Sequence, residues 1–149
     1  MGVLGNDRLR VLPIWELTFG SMAQGAWPIA TEKVKHDPDY QERRGIQHGP
    51  AKDLSPEVRA RIQRSAKRIF RTLELDGYAR IDFRLSAEGI PYFLEANPLA
   101  GLNPWHSDLP ILAAQNGIEF AALIGMILDA GLARYGLSRG GGERERKRA

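Results

Sequence analysis

Asp82, Glu95 and Asn97 carry oxygen donors, stand in two neighbouring extended-looking runs, and have Arg80 and Arg84 beside them. Residues 78–85 alternate: Ala79, Ile81, Phe83 and Leu85 fall on one face, Tyr78, Arg80, Asp82 and Arg84 on the other. If Leu85 pairs with Tyr92, Asp82 comes opposite Glu95, with Cβ atoms about 4.5–5.5 Å apart. Two like charges about 5 Å apart at an effective dielectric of about 20 repel by about 3 kcal/mol. That is a sizeable part of the net stability of a small domain. A proton, Arg80 or Arg84, or a metal ion must offset it. An oxygen-only donor set suits Mg²⁺ or Mn²⁺ rather than zinc, and Mg²⁺ usually completes its shell with water and substrate phosphates. The same residues also spell a solvated cross-strand ion-pair ladder of the kind surface sheets carry. Spacing alone does not separate the two readings.

The elements that must position these groups are legible around them. Ser86–Gly89 supplies a turn, and the run from Ile90 to Asn97 is the returning strand of an antiparallel hairpin. Simple alternation there puts Leu94 and Ala96 on one face and Phe93, Glu95 and Asn97 on the other. Ser55-Pro56 starts a helix, with Val58, Ile62, Ile69, Phe70 and Leu73 at helical spacing up to Leu75 and Gly77 as its stop. Arg59, Arg61, Arg64, Lys67, Arg68 and Arg71 give that helix a basic, solvated face. A second helix is expected from about Glu119 to Tyr135, with Phe120, Leu123, Ile124, Ile127 and Leu128 in the core. Residues 8–18 read as a strand broken or edged by Pro13. Residues 19–55 read as a long loop or lid, punctuated by Gly and Pro and carrying Lys33, Lys35, Arg43 and Arg44. The segment from Pro98 to Asn116 reads as poor in regular structure. Within it His106 is a hydrogen-bonding or packing group more readily than a base, and Trp15, Trp27 and Trp105 read as loop anchors.

The runs Gly77–Arg84, Gly89–Pro98, Gly101–Pro104 and His106–Pro110, continuing into Ala113–Ile118, together resemble the C-terminal end of the ATP-grasp domain of D-alanine–D-alanine ligases. Looser similarity reaches upstream through Pro50-Ala51 and Leu12–Ile14 to Gly2–Asn6. The resemblance implies an α+β fold, the C-terminal half of an ATP-grasp domain, with an antiparallel sheet packed against two main helices. It implies ATP and Mg²⁺ (or Mn²⁺) as cofactors. By position, Asp82, Glu95 and Asn97 match the metal ligands that face the ATP phosphates, and Lys35, with Lys33 close by, matches a phosphate-reaching lysine. Arg80 matches the arginine on the reacting carboxylate and tetrahedral intermediate, and Gly101 the glycine whose N–H approaches that centre. Ser107 and Leu109 fall where the family lines the site of the second, D-alanine-like amino acid. The reaction implied is formation of an acyl phosphate, then attack by an amine. Two departures stand out: the Gly101–Ser107 loop is one residue longer, and Ala100 replaces a usual proline. The resemblance therefore extends to ligases joining other amino or hydroxy acids. It also implies that the family's N-terminal domain, Gly-rich phosphate loop and adenine hinge would come from elsewhere, from an N-terminal half or a homo-oligomer partner. A catalytically inactive remnant is the alternative reading.

Composition bounds the rest. With no cysteine, disulfides and thiolate chemistry are excluded, and no Ser–His–Asp pattern offers a protein nucleophile. No apolar run is long enough for a membrane span, no signal peptide is visible, and a cytoplasmic protein is expected. The formal charge of +3 comes from the tail, where Arg139, Arg144, Arg146, Lys147 and Arg148 face Glu143 and Glu145. We expect a partial ATP-grasp domain over residues 1–138 and a disordered basic tail over 139–149. No aromatics interleave with the tail's basic residues, so a nucleic-acid partner is not expected.

Overall fold

The structure, a computed structural model, describes residues 1–21 and 28–139. In chain order the elements are β1 (Gly2–Leu4), β2 (Arg10–Val11), β3 (Trp15–Thr18), α1 (Glu32–His36), α2 (Pro38–Arg44), β4 (Gln47–Pro50), α3 (Pro56–Thr72), β5 (Tyr78–Leu85), β6 (Pro91–Asn97), α4 (Asp108–Gln115) and α5 (Phe120–Arg134). They form two compact units, one of Met1–Pro13 with the chain from Leu54 onward, the other of Ile14–Asp53. Trp27 and the tail beyond Arg139 lie outside the described residues.

The larger unit is built on a four-stranded sheet of order β2-β1-β5-β6, antiparallel at every pairing. The β5–β6 hairpin has the expected turn at Ser86–Gly89, with Gly89 at φ +73°. Asp82 pairs with Glu95 and Arg80 with Asn97, but Phe83 then pairs with Phe93. Leu94 is therefore the extra residue of a β-bulge. The bulge overturns the simple alternation read for β6: Phe93 moves to the face of Phe83, and the two rings meet edge-on with centroids 6.4 Å apart. Glu95 stays opposite Asp82.

Helix α3 begins as expected. Ser55 Oγ accepts from Val58 N–H at 3.3 Å and Pro56 takes the first turn. Ile62, Ala66 and Phe70 are its buried face, and the helix lies against β1, β2 and β6. It ends at Thr72 rather than running to Leu75, because Glu74 turns left-handed at φ +52° and lets Leu75 N–H bond Phe70 O. The segment after the hairpin is not all loop: α4 occupies Asp108–Gln115 and buries Leu109, Pro110, Leu112 and Ala113. A Cβ on Gly2, which pairs with Arg80, would lie 2.5 Å from Leu109 Cδ1, so α4 covers the Arg80 face of the sheet beside β1. Of the α5 residues expected in the core only Leu123 is fully buried, while Phe120 and Leu128 are exposed. This helix is apolar nearly all round, so its composition does not select a buried face.

Asn6 ties these parts together, donating to Ala130 O at 2.7 Å and accepting from Gly77 N–H at 3.0 Å. Beside it an open cavity of about 160 Å³ is lined by residues that include Asp76, Tyr78, Ile127 and Arg134. No candidate site residue lines it.

In the smaller unit β3 and β4 pair antiparallel, Trp15 with Pro50 through Thr18 with Gln47. The stretch read as a long loop contains α1, α2 and β4. Thr31 caps α1 and Asp37, followed by Pro38, caps α2. Val34 and Ile46 are buried. Among the described residues no single helix is long and apolar enough to cross a membrane.

Two substitutions test this packing. Phe70→Ala is expected to cost about 3–5 kcal/mol in urea unfolding, whereas Leu99→Ala, at a side chain 82% exposed, changes stability by less than about 0.5 kcal/mol. Glu74→Gly is expected to raise unfolding free energy by up to about 1 kcal/mol, because glycine takes positive φ without strain; a loss of stability would contradict the left-handed turn.

Candidate functional site

The β5–β6 register turns two carboxylates toward one another, and the offsetting charge is Arg80. Its Nε donates to Asp82 Oδ1 at 3.1 Å and Oδ2 at 3.0 Å. Nη2 donates to Glu95 Oε1 at 3.3 Å and lies 3.0 Å from Asp82 Oδ2. Nη1 donates to Asp108 Oδ2 at 3.0 Å. One guanidinium, 22% exposed at its side chain, thus bridges three carboxylates from β5, β6 and α4. Burial pulls the Arg80 pKa down, but Asp82, Asp108 and Glu95 together outweigh it and hold it above its ordinary value. Of the offsets open at the level of sequence, Arg80 is the one present in the geometry.

Asn97 ends β6, and its Oδ1 accepts from Leu99 N–H at 3.0 Å, fixing the chain as it leaves the sheet. Asn103 folds the next loop, accepting through Oδ1 from Trp105 N–H at 2.9 Å and His106 N–H at 3.2 Å. Trp105 is 79% exposed, so this polar turn, and not a buried indole, shapes the loop. His106 is exposed and enters the network only through its backbone. Ser107 precedes α4, but its Oγ accepts from Asn103 N–H at 3.1 Å and makes no cap bond to the helix. A Cβ on Gly101 would lie 2.6 Å from that Oγ, so glycine at 101 is what lets the loop close on Ser107.

The fold therefore brings Arg80, Asp82 and Glu95 into direct contact, keeps Asn97 on the paired strand, and sets Gly101 against Ser107. Leu109 is fully buried, with Cδ1 toward Gly2, so its side chain belongs to the core and not to an open substrate surface. Lys35 is exposed on α1 in the other unit. Sequence reasoning missed Asp108. The signal was present: Ser107, an acidic residue and then Pro110 make an acceptable helix start.

Among the described residues no group of three or more His, Cys, Asp or Glu is arranged to hold a metal ion. The donor chemistry at the hairpin nonetheless fits a hard divalent cation: two carboxylates paired across a ladder, and an amide oxygen two residues further along the same strand. Such an ion would take over the charge balance that the guanidinium maintains.

A family model described as "D-ala D-ala ligase C-terminus" matches residues 1–129. The D-alanine–D-alanine ligase of Desulfotalea psychrophila is 32% identical over 132 residues, which cover 89% of this chain and 38% of that protein. Among solved structures, the Bacillus anthracis D-alanine–D-alanine ligase complexed with ATP aligns with TM-score 0.52 and 31% identity, over 56% of this chain and 29% of that one. A second structure of the B. anthracis enzyme aligns over 89% of this chain and 39% of its own with TM-score 0.65; at 22% identity it supports the fold. The α+β fold is thus that of the C-terminal part of an ATP-grasp ligase, with α1, α2 and α4 added to the two helices expected, and the chain spans well under half the length of the ligases it matches. The chain belongs to the D-alanine–D-alanine ligase C-terminus family.

Proposed function

We propose that this chain forms the metal- and carboxylate-facing part of an ATP-dependent carboxylate–amine ligase that makes a C–N bond between small, D-alanine-like amino acids. The observation that carries the reading is the Asp82–Glu95 pair held across the ladder with Arg80 between them. Asp82, Glu95 and Asn97 are the residues that would hold Mg²⁺ or Mn²⁺ against the ATP phosphates, and Lys35 is assigned to the same phosphates by the family resemblance. When bound, the ion supplies positive charge where negative charge builds on the transferred phosphoryl group.

The chain's own groups divide the remaining work. Arg80 orients the reacting carboxylate, one oxygen of which bonds the γ-phosphorus of ATP as ADP leaves. The resulting acyl phosphate is attacked by an amine nitrogen, the C–N bond forms, inorganic phosphate departs and the ammonium proton is released. Arg80 and the Gly101 N–H stabilise the oxyanion of that addition. Ser107 lies where the second substrate would bind. No step requires a protein nucleophile, in keeping with a chain that has no cysteine.

Binding of Mn²⁺ in the presence of ATP, followed by water-proton relaxation, tests the metal face. Asp82→Asn combined with Glu95→Gln is expected to weaken Mn²⁺ affinity about tenfold or more; an unchanged titration would contradict the assignment. A second test concerns Arg80. Arg80→Met leaves Asp82, Glu95 and Asp108 without their shared cation, and is expected to cost about 1–3 kcal/mol near pH 7, less than a fully buried pair because Glu95 and Asp108 are half exposed or more. Chemical unfolding near pH 7 measures it, and a cost below about 0.5 kcal/mol, that of an ordinary surface substitution, would contradict the role of Arg80 as their shared cation.

A further inference from the structure

Three carboxylates share the Arg80 guanidinium, and only two of them, Asp82 and Glu95, stand on the strands that carry the metal donors. The third, Asp108, opens α4 directly after Ser107, whose Oγ would lie 2.6 Å from a Cβ on Gly101. It therefore belongs to the substrate end of the cluster. Its Oδ2 accepts from Arg80 Nη1 at 3.0 Å. Its side chain is 51% exposed, and among the described residues Oδ1 makes no hydrogen bond. Leu109, one residue further, is sealed in the core and fixes the turn that carries it. The result is a carboxylate held in place through one oxygen and open to a ligand through the other.

We propose that Asp108 determines the class of the nucleophile: it recognises the ammonium of the second amino acid and so favours amino acids over hydroxy acids of the same shape. This rests on the reading of Arg80, Gly101 and Ser107 as the substrate end of the site. An amine that attacks a carboxyl group held by Arg80 must come up beside that guanidinium. Of the carboxylates there, Asp108 is the one not assigned to the ion. An ammonium donates to its Oδ1 in a charge-assisted hydrogen bond while Oδ2 keeps the ion pair to Arg80. The carboxylate then stands between two cations. A hydroxyl can donate to the same oxygen, because an ionised carboxylate only accepts, but it brings no positive charge to the contact. The carboxylate of the incoming amino acid has its own donor one residue away. Ser107 Oγ accepts from Asn103 N–H at 3.1 Å and keeps its proton to donate. Both ends of a zwitterionic amino acid are thereby answered, the ammonium by Asp108 and the carboxylate by Ser107.

D-Alanine and D-lactate share a carboxylate and a methyl group and differ in the third group on the α-carbon, ammonium in one and hydroxyl in the other. Each is titrated into the full chain, without nucleotide or metal. The Ser107 and Asp108 amide resonances, the Arg80 Nε–Hε resonance and the Asp108 carboxyl carbon are followed by NMR. D-Alanine is expected to bind about fivefold more tightly than D-lactate, as an ion pair at a half-exposed carboxylate allows. Asp108→Asn, its fold checked in the same spectra, is expected to lower that ratio to about twofold or less, and Asp108→Glu to keep it. Equal affinity of the unaltered chain for the two compounds, or a ratio unchanged in Asp108→Asn, overturns the proposal. Binding of both compounds at Ser107 without preference fails this inference and leaves the substrate end standing, whereas no response of these resonances to either compound fails both. The Mn²⁺ titration of the Asp82 and Glu95 face is independent of each result.

Discussion

Opposed carboxylates on a two-stranded ladder are the constraint to which the rest of this molecule answers. Asp82 and Glu95 face one another by register, and a sheet does not keep two such charges side by side without a cation. Arg80 supplies it, and reaches a third carboxylate on α4 in doing so. The sheet, the loop after β6 and the start of α4 are thereby joined by one charged centre. Each partner has a separate structural cause: the hairpin turn sets the register of Asp82, the bulge at Leu94 brings Glu95 opposite it while Phe93 changes face, and α4, docked through Leu109, carries Asp108.

The hydrophobic framework explains why this centre is fixed in position. Ala79 and Ile81, alternating with Arg80 and Asp82, are fully buried, so β5 cannot slip by one residue without exposing its core face and burying its charges. On the other side Leu109 is sealed against β1, which sets the depth of α4 and the reach of Asp108. A short helix that buries four of its eight residues is a rigid mount for one polar residue at its first turn.

Much of the site was readable because period-2 alternation in 78–85 is strict, but Leu85 pairs with Pro91 and not Tyr92, so it is the bulge and not the expected register that brings Asp82 opposite Glu95. Helix α3 was readable from Ser55-Pro56 and its apolar spacing. The remainder failed for identifiable reasons. A bulge adds one residue without changing composition, so the faces of Phe93 and Leu94 were not available from the pattern. Helices α1, α2 and α4 run to five, seven and eight residues, too short for periodicity to stand out. The capping side chains of Thr31 and Asp37 were the stronger clue for α1 and α2. Along α5 nearly every position is apolar, so nothing in its composition distinguished Leu123 from Leu128. Asp108 was passed over because its importance lies in the third dimension, 28 residues from the arginine it meets.

The central claim is that the Asp82–Glu95 face exchanges its guanidinium balance for a divalent cation and nucleotide. A crystal structure of the chain grown with Mn²⁺ and a non-hydrolysable ATP analogue, with anomalous scattering recorded for manganese, tests it most directly. The account predicts a manganese peak coordinated by carboxylate oxygens of Asp82 and Glu95, with Arg80 drawn away from at least one of them. A peak elsewhere, or none, with the Arg80 bridge to all three carboxylates intact, would contradict it.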